Sequence, residues 1–291
     1  MRIHVDHLTR YDYQAPVSFG EHALYLRPRE SQTLHVSEFS VSSEPDGKLR
    51  WVRDCFNNVV AVVNFDLQEA STLSFHCKME FDVVEENPFD FILDSRATNF
   101  PFAYDAKETQ ALEPYLGRAS EVGLTSGWVS KNLDTQNVDT VGMLTSLNQA
   151  VFEQIRYQRR DEEGVQRPEE TLRLRSGSCR DMAELFVAST RSLGLAARFV
   201  SGYLYEPTDD EFDGTTNRAA GSMHAWAEVY LPGAGWRGFD PTNGILTDHH
   251  FLTAAVANRP EWVNPIQGKY FHEGEVHSDM HVSLRIEGTA S

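Results

Sequence analysis

The sequence predicts an α+β protein in two parts: an N-terminal antiparallel β-sandwich-like domain, then helices packed on an antiparallel sheet. Three observations predict it. Residues 2–95 alternate apolar and polar in short runs separated by turn residues, as strands of a sandwich or small barrel do. Residues 142–159 and 182–193 carry apolar side chains three and four positions apart, as amphipathic helices do. Residues 224–240 return to alternation on either side of Pro232-Gly233-Ala234-Gly235, as a hairpin does. The chain therefore divides into a β-rich domain at 1–95, a connecting segment at 96–140 and a core at 141–291 that includes C-terminal strands.

In the first part, Arg2 to Tyr13 alternates loosely, Pro16 and Gly20 punctuate it, and Ala23 to Pro28 resumes. Leu34 to Val41, Leu49 to Val52, the apolar run Val59 to Val63 and Leu73 to Val84 follow, with a turn at Pro45-Asp46-Gly47. Residues 85–140 show little periodicity. Pro88 and Pro101 break them, Thr109 to Leu116 reads as a short helix, and the segment reads as a surface connection. In the helix at 142–159, Leu144, Leu147, Val151, Phe152 and Ile155 share one face, which is expected to pack on the later helix. The charged run Arg159 to Gly164 reads as a solvated loop.

The chemistry centres on Ser176-Gly177-Ser178-Cys179-Arg180-Asp181. Ser178 is a good N-cap, and Asp181 three residues later makes a capping-box pattern. Met182, Leu185, Phe186 and Leu193 give the following helix an apolar face, and Gly194 ends it as a C′ glycine would. Cys179 thus falls in the first helical turn, where unpaired N–H groups and the macrodipole stabilise an anion. The thiolate is the reactive form of cysteine. In the hairpin, a pairing centred on position 232 sets His224 opposite Asp240. A cysteine at a helix N-terminus with a His–Asp pair on neighbouring strands is a nucleophile, a base and an orienting group.

Four blocks carry a wider likeness: Gly177 to Asp181, Leu193 to Tyr203, His224 to Val229, and Gly235 to Thr242. In this order and spacing they resemble the bacterial transglutaminase-like superfamily, most strongly over residues 140–260, and the resemblance extends to the N-terminus. It implies a papain-like core whose triad is Cys179, His224 and Asp240, acting in acyl transfer at amide bonds. It also implies a β-rich transglutaminase-like N-terminal domain. The family's Asp-x-Phe-Gly-Asn pattern is similar to residues 54–58, with Asn57 in place of the glycine; Asn tolerates the left-handed conformation such a turn needs. The tail beginning Asp248-His249-His250 resembles family members too, which implies strands completing the core sheet and His249 near the cleft rim.

Composition narrows the partners. Lys and Arg number 26 against 43 Asp and Glu, a net charge of −17. An acidic surface argues against nucleic acid and anionic membranes. No apolar run approaches a membrane span, and the first residues hold no apolar signal core. Three cysteines are too few for a disulfide framework. A cytoplasmic location is expected, with Cys55 and Cys77 as buried free thiols. His249, His250, His272, His277 and His281 stand at no spacing that specifies a ligand set, so no metal and no cofactor is expected. The acidic stretch from Glu206 to Ser222 leads into His224 and reads as a flap favouring cationic groups.

The expected reaction is thiol-dependent amide or peptide hydrolysis through a thioester, on a peptide or protein amide substrate. Protein-glutamine transamidation, with an amine as acceptor, and an inactive peptide-binding scaffold are the alternatives. The Cys179 N–H is the first candidate oxyanion donor. Tyr157 and Gln158 are candidates for the second, Trp226 is expected as a wall beside the base, and Glu228 reads as a buried structural residue.

Overall fold

The structure, a computed structural model, describes residues 1–117, 123–160, 162–206 and 223–289. The expected flap lies almost wholly outside the described residues. The chain runs β1 (Arg2–Leu24), β2 (Leu34–Glu44), β3 (Lys48–Arg53), β4 (Val59–Asn64), β5 (Glu69–Val83), β6 (Asn99–Phe100), α1 (Ala106–Leu112), α2 (Gly123–Asn132), β7 (Val138–Asp139) and α3 (Thr140–Gln154). It continues through β8 (Arg156–Tyr157), α4 (Pro168–Leu174), β9 (Ser176–Gly177), α5 (Cys179–Ser192), β10 (Ala197–Leu204), β11 (His224–Leu231), β12 (Gly235–Asp240), β13 (Ile245–Leu246), β14 (Phe251–Ala257), β15 (Ile266–Phe271) and β16 (Ser278–Thr289).

β1 organises the N-terminal half. Ile3, Val5, His7 and Thr9 turn inward while Arg2, His4, Asp6 and Arg10 stay exposed, the period of two that a half-buried strand requires. The sheet order is β2-β5-β1-β4-β3, all antiparallel, and the sheet curls because β1 changes partners along its length. Pro16 does not end the strand. The β1–β5 register shifts between Asp12 and Val17, and a bulge is where a strand accommodates proline.

The tail behaves differently from expectation. β14 alone completes the core sheet, whose order is β13-β12-β11-β10-β14. β15 and β16 cross back to pair with β1. The alternating run from Met280 to Ile286 fits either sheet locally; β1 offers it an unpaired edge twelve residues long, from Arg2 to Tyr13.

The core is layered. α5 lies on β10 and β11, with α2, α3 and α4 against it. Elsewhere Tyr203, Leu252 and Ala254 of the core sheet, and Tyr205 just beyond β10, pack into the N-terminal cluster around Ile3, Phe19, Phe75 and Phe81. Segment 85–140 is not a surface connection. Phe100 and Val129 are buried with Leu144, Leu147 and Phe186, and Phe91, Leu93, Phe102 and Trp128 pack against them. Phe91, Leu93 and Phe102 pack in from irregular chain, and α2 carries no clear apolar stripe, so periodicity does not register the segment. α3 also ends earlier than expected, because Arg156 and Tyr157 leave the helix to pair in parallel with Ser176 and Gly177.

Polar clamps join the two halves. The Asn58 amide is fully buried. It donates to the Val256 carbonyl and accepts from the Val256 N–H, both at 2.9 Å, while Asp54 holds it at 2.8 Å. Asn57 takes φ 63° in the tight turn between them. The buried Tyr203 hydroxyl donates to Leu26 O (3.1 Å) and meets His7 Nδ1 (3.0 Å).

Replacing Asn58 with Ala leaves a buried N–H and a buried C=O of Val256 without partners. We expect a loss of about 3 kcal/mol of stability, read as a lower urea midpoint with an unchanged slope. A loss below about 0.5 kcal/mol would show that the clamp is dispensable.

Candidate active site

Ser178 is the extended N-cap of α5 (φ −79°, ψ 175°), and Cys179 is the first helical residue. Asp181, fully buried, reaches back to this turn. It accepts from the Ser178 N–H (2.8 Å) and Ser178 Oγ (2.9 Å), from the Gln166 N–H (2.7 Å), and from Arg160 Nε (2.8 Å) and Nη2 (3.3 Å). Burial alone would raise its pKa; the bonds from Arg160, Gln166 and Ser178 outweigh that and hold it below the ordinary 3.8. Arg160 therefore leaves the solvated-loop reading. The loop folds inward because a buried carboxylate needs a counter-charge. Gly177 is required by the same packing, since a Cβ there would stand 2.8 Å from Asp181 Cβ.

His224 and Asp240 are brought together, though not as a direct cross-strand pair. Leu231 pairs with Gly235 and Ala227 with Phe239, so the hairpin centres on Gly233, one residue later than expected. Extending that register sets Asp240 across from Trp226, and His224 reaches it diagonally. His224 Nε2 lies 2.9 Å from Asp240 Oδ2, with both side chains fully buried. The Thr242 N–H (2.9 Å) and Asn243 Nδ2 (2.7 Å) also donate to the Asp240 carboxylate. Among the described residues, His224 Nδ1 is buried with no hydrogen-bond partner. Burial would lower the imidazole pKa; the charge and hydrogen bond of Asp240, then the nearby Cys179, raise it to about 10.

Tyr157 and Cys179 are neighbours. The parallel β8–β9 pair sets Tyr157 beside Gly177, and its ring joins Tyr25 and Phe56 around Cys179, Ala183, Phe199 and Ala225. Burial, then the charge of Cys179, raises the Tyr157 pKa. Gln158 is exposed, and its N–H already donates to Gly177 O at 2.8 Å. Trp226 is buried in a cluster with Val200, Phe251 and Val256 and stacks on His224 at 6.1 Å; it backs the base and does not line a cleft. Glu228 pairs with Arg198 at 2.6 Å. Cys55 and Cys77 are free thiols as expected, but Cys55 is exposed; burial raises the Cys77 thiol to about 12.

Residues 128–241 match the transglutaminase-like superfamily, and residues 3–82 match the bacterial transglutaminase-like N-terminal region. The chain carries a transglutaminase-like core behind a bacterial transglutaminase-like N-terminal region. An uncharacterized protein of Mycobacterium leprae is 33% identical over 108 residues, 37% of each chain. One of Mycobacterium tuberculosis is 35% identical over 113 residues, 36% of this chain and 34% of its own. The aligned part thus spans little more than a third of these curated relatives. The structure of a putative cysteine protease from Cytophaga hutchinsonii superposes with a TM-score of 0.71 at 16% identity, over 100% of this chain and 92% of that one. That likeness is one of fold.

Arg160, Gln166, Thr242 and Asn243 escaped sequence reasoning as supports of the site. Asn243, three residues after Asp240 in Asp-Pro-Thr-Asn, carried a signal, because such runs form side-chain-capped turns. Arg160 lies 21 residues from its partner and carried none.

Two expectations follow from these supports. Asp181→Asn removes the buried counter-charge of Arg160, leaving it the exposed Glu162 at 3.4 Å, and costs about 3 kcal/mol at neutral pH. Because the Asp181 pKa is depressed, its stabilisation is present above pH 3.8 and fades as pH falls through the lower folded value. The gap between wild type and Asp181→Asn in urea titrations should therefore close at the acid end. A gap that is constant with pH would contradict the assignment.

The His224 pKa is raised, so the imidazolium contributes stability below its ordinary 6.5 that is lost as pH rises through about 10. A histidine beside the thiol can take its proton and activate it as a nucleophile. Cys179 should react with iodoacetamide faster than the exposed Cys55 below pH 8, and His224→Ala should abolish the advantage. Peptide mass spectrometry resolves the two sites; equal rates in wild type would refute an activated thiol.

Proposed function

We propose that this chain catalyses thiol-dependent acyl transfer at amide bonds, with hydrolysis of an amide or peptide bond as the net reaction. One observation carries it: Cys179 in the first turn of α5 lies close to His224, whose Nε2 is bound to Asp240 and whose Nδ1 has no other partner among the described residues. One ring nitrogen is committed to orientation, which leaves the other to exchange a proton with sulfur.

In this reading Cys179 Sγ adds to the amide carbonyl carbon. The C–N bond then breaks, and the amine leaves with the proton from His224 Nδ1, giving a thioester. Water attacks the thioester, gives a proton to His224, and releases the acid and the thiolate. Asp240 holds the imidazole orientation and supports its charge. The raised pKa keeps His224 protonated near neutrality, ready to protonate a leaving amine. The Cys179 N–H, one of the orphan donors of the helix end, takes the first oxyanion contact, and the Tyr157 hydroxyl takes the second. Tyr25, Phe56 and Tyr157 form an aromatic surround for the cluster that holds the thiol, with Trp262 packed on Phe56 at 5.7 Å. That surround suits an apolar or extended peptide side chain next to the scissile amide.

The test screens peptide cleavage, ammonia release from glutamine peptides and incorporation of a primary amine in parallel. We expect cleavage or ammonia release without net amine incorporation, and background rates for Cys179→Ala. Amine incorporation as the main product would replace hydrolysis with transamidation through the same thioester. Silence in all three assays would favour a binding scaffold. Tyr157→Phe should lower kcat by about 10²-fold with little change in KM, the usual loss for one oxyanion donor; an unchanged kcat would remove Tyr157 from that role.

A further inference from the structure

Away from the thiol, the turn that enters β14 gathers metal-ligating side chains that the proposed reaction does not use. We propose that Asp248, His249 and His250 form a binding site for a divalent transition metal of the zinc class. Each residue offers one ligand atom, and the three atoms lie within 4.8 Å of one another. Zinc donors stand about 2.0–2.2 Å from the metal, so small side-chain rotations would close the set. Consecutive residues seldom converge, and spacing gave no hint of a site. The turn at 249–250 folds them onto one side, with the two imidazole rings 4.0 Å apart.

The alternative of a self-capped turn accounts for only part of the cluster. The Asp248 carboxylate accepts from the His250 N–H (2.9 Å) and meets His250 Nδ1 (3.0 Å). Neither contact involves the His249 ring, whose Nδ1 is buried without a hydrogen-bond partner among the described residues. A buried polar nitrogen with no partner needs an account, and a bound ion supplies one. Asp248 and His249 also line a cavity of about 320 Å³ with Arg29, Glu228, Arg198 and Trp236. An ion therefore has a route in, and further ligand positions could be filled by water. The charge of Arg198 is answered by Glu228. Two imidazoles and one carboxylate suit zinc, cobalt or nickel better than calcium or magnesium, which take oxygen sets.

The site sits behind the proposed base. The His250 ring stacks on Tyr205 at 5.8 Å, and Phe251 touches both His224 (6.2 Å) and Trp226 (5.3 Å). A bound ion would fasten the start of β14 and, through Phe251, the packing behind His224. The proposal does not depend on the reaction assigned to Cys179.

The full chain carrying Cys55→Ser and Cys179→Ser, stripped with a chelator, is titrated with Zn²⁺ by calorimetry and with Co²⁺ by absorption. These substitutions remove the exposed and nucleophilic thiols as competing ligands. We expect one ion per chain, a rise in Tm, and cobalt d–d bands without thiolate charge transfer. His249→Ala and Asp248→Asn should each weaken Zn²⁺ binding by more than about 100-fold, since even outer-partner substitutions cost ~10–100-fold. His281→Ala, on β16, should not. The cobalt spectrum reads ligand type on the folded parent, so the proposal stays testable if a variant fails to fold. No stoichiometric binding, or binding that survives His249→Ala, would overturn it.

Discussion

The buried carboxylate of Asp181 is the constraint on which the candidate site rests. An isolated charge in that position would be prohibitively costly, and the surrounding chain is arranged to answer it. Ser178 supplies two donors, Gln166 a backbone N–H, and Arg160 a guanidinium. Each donor fixes a different piece of chain: the N-cap of α5, the lead-in to α4, and the loop after β8. Gly177 follows from the same packing, because only a residue without Cβ fits against Asp181. Gly177 in turn pairs with Tyr157. One carboxylate thus sets the position of the thiol, the aromatic ring beside it and the charged loop that closes over the helix end.

The proposed base is held by a second, independent set. Asp240 accepts from His224, Thr242 and Asn243, and Asn148 of α3 holds the Asp240 carbonyl at 3.3 Å. Trp226 stacks on the other side of the imidazole. That stacking explains Gly202, which pairs with His224 across the sheet. A Cβ there would fall 2.6 Å from the Trp226 ring and 2.3 Å from Leu252 O. The imidazole has little freedom to turn, so its Nδ1 stays directed by packing and not by a flexible side chain's preference. Preorganisation of this kind spares a reorganisation cost at the moment of reaction.

What was legible in the sequence was local. The α5 helix announced itself through Ser178, Asp181 and an apolar stripe, and its boundaries lie within a residue or so of the expected ones. The β11–β12 hairpin announced itself through alternation and Pro232-Gly233. Its register did not, because two glycines with positive φ, Gly233 and Gly235, allow the turn to close one residue later. What was not legible depended on partners far away in sequence. α3 stops where Arg156 finds Ser176, β16 leaves the core because β1 offers an edge, and segment 85–140 buries aromatics one at a time. A strand's alternation says that one of its faces is buried, but not which sheet it joins.

The N-terminal half contributes to the surroundings of the thiol. Phe56 and Tyr25 belong to it, yet both pack against the cluster that includes Cys179. Phe56 sits in the turn that Asp54 and Asn58 hold rigid, and Asn58 is fastened to Val256 some 198 residues later. The turn is therefore referenced to β14, the strand whose Ala255 and Ala257 flank the thiol's own cluster. Small residues there leave room, and aromatic residues from the other half fill it. The surroundings of Cys179 are thus completed by two parts of the chain that meet only in the folded state. A core cut free of residues 1–95 would keep Cys179, His224 and Asp240 and lose the aromatic packing that Tyr25 and Phe56 give the Cys179 cluster.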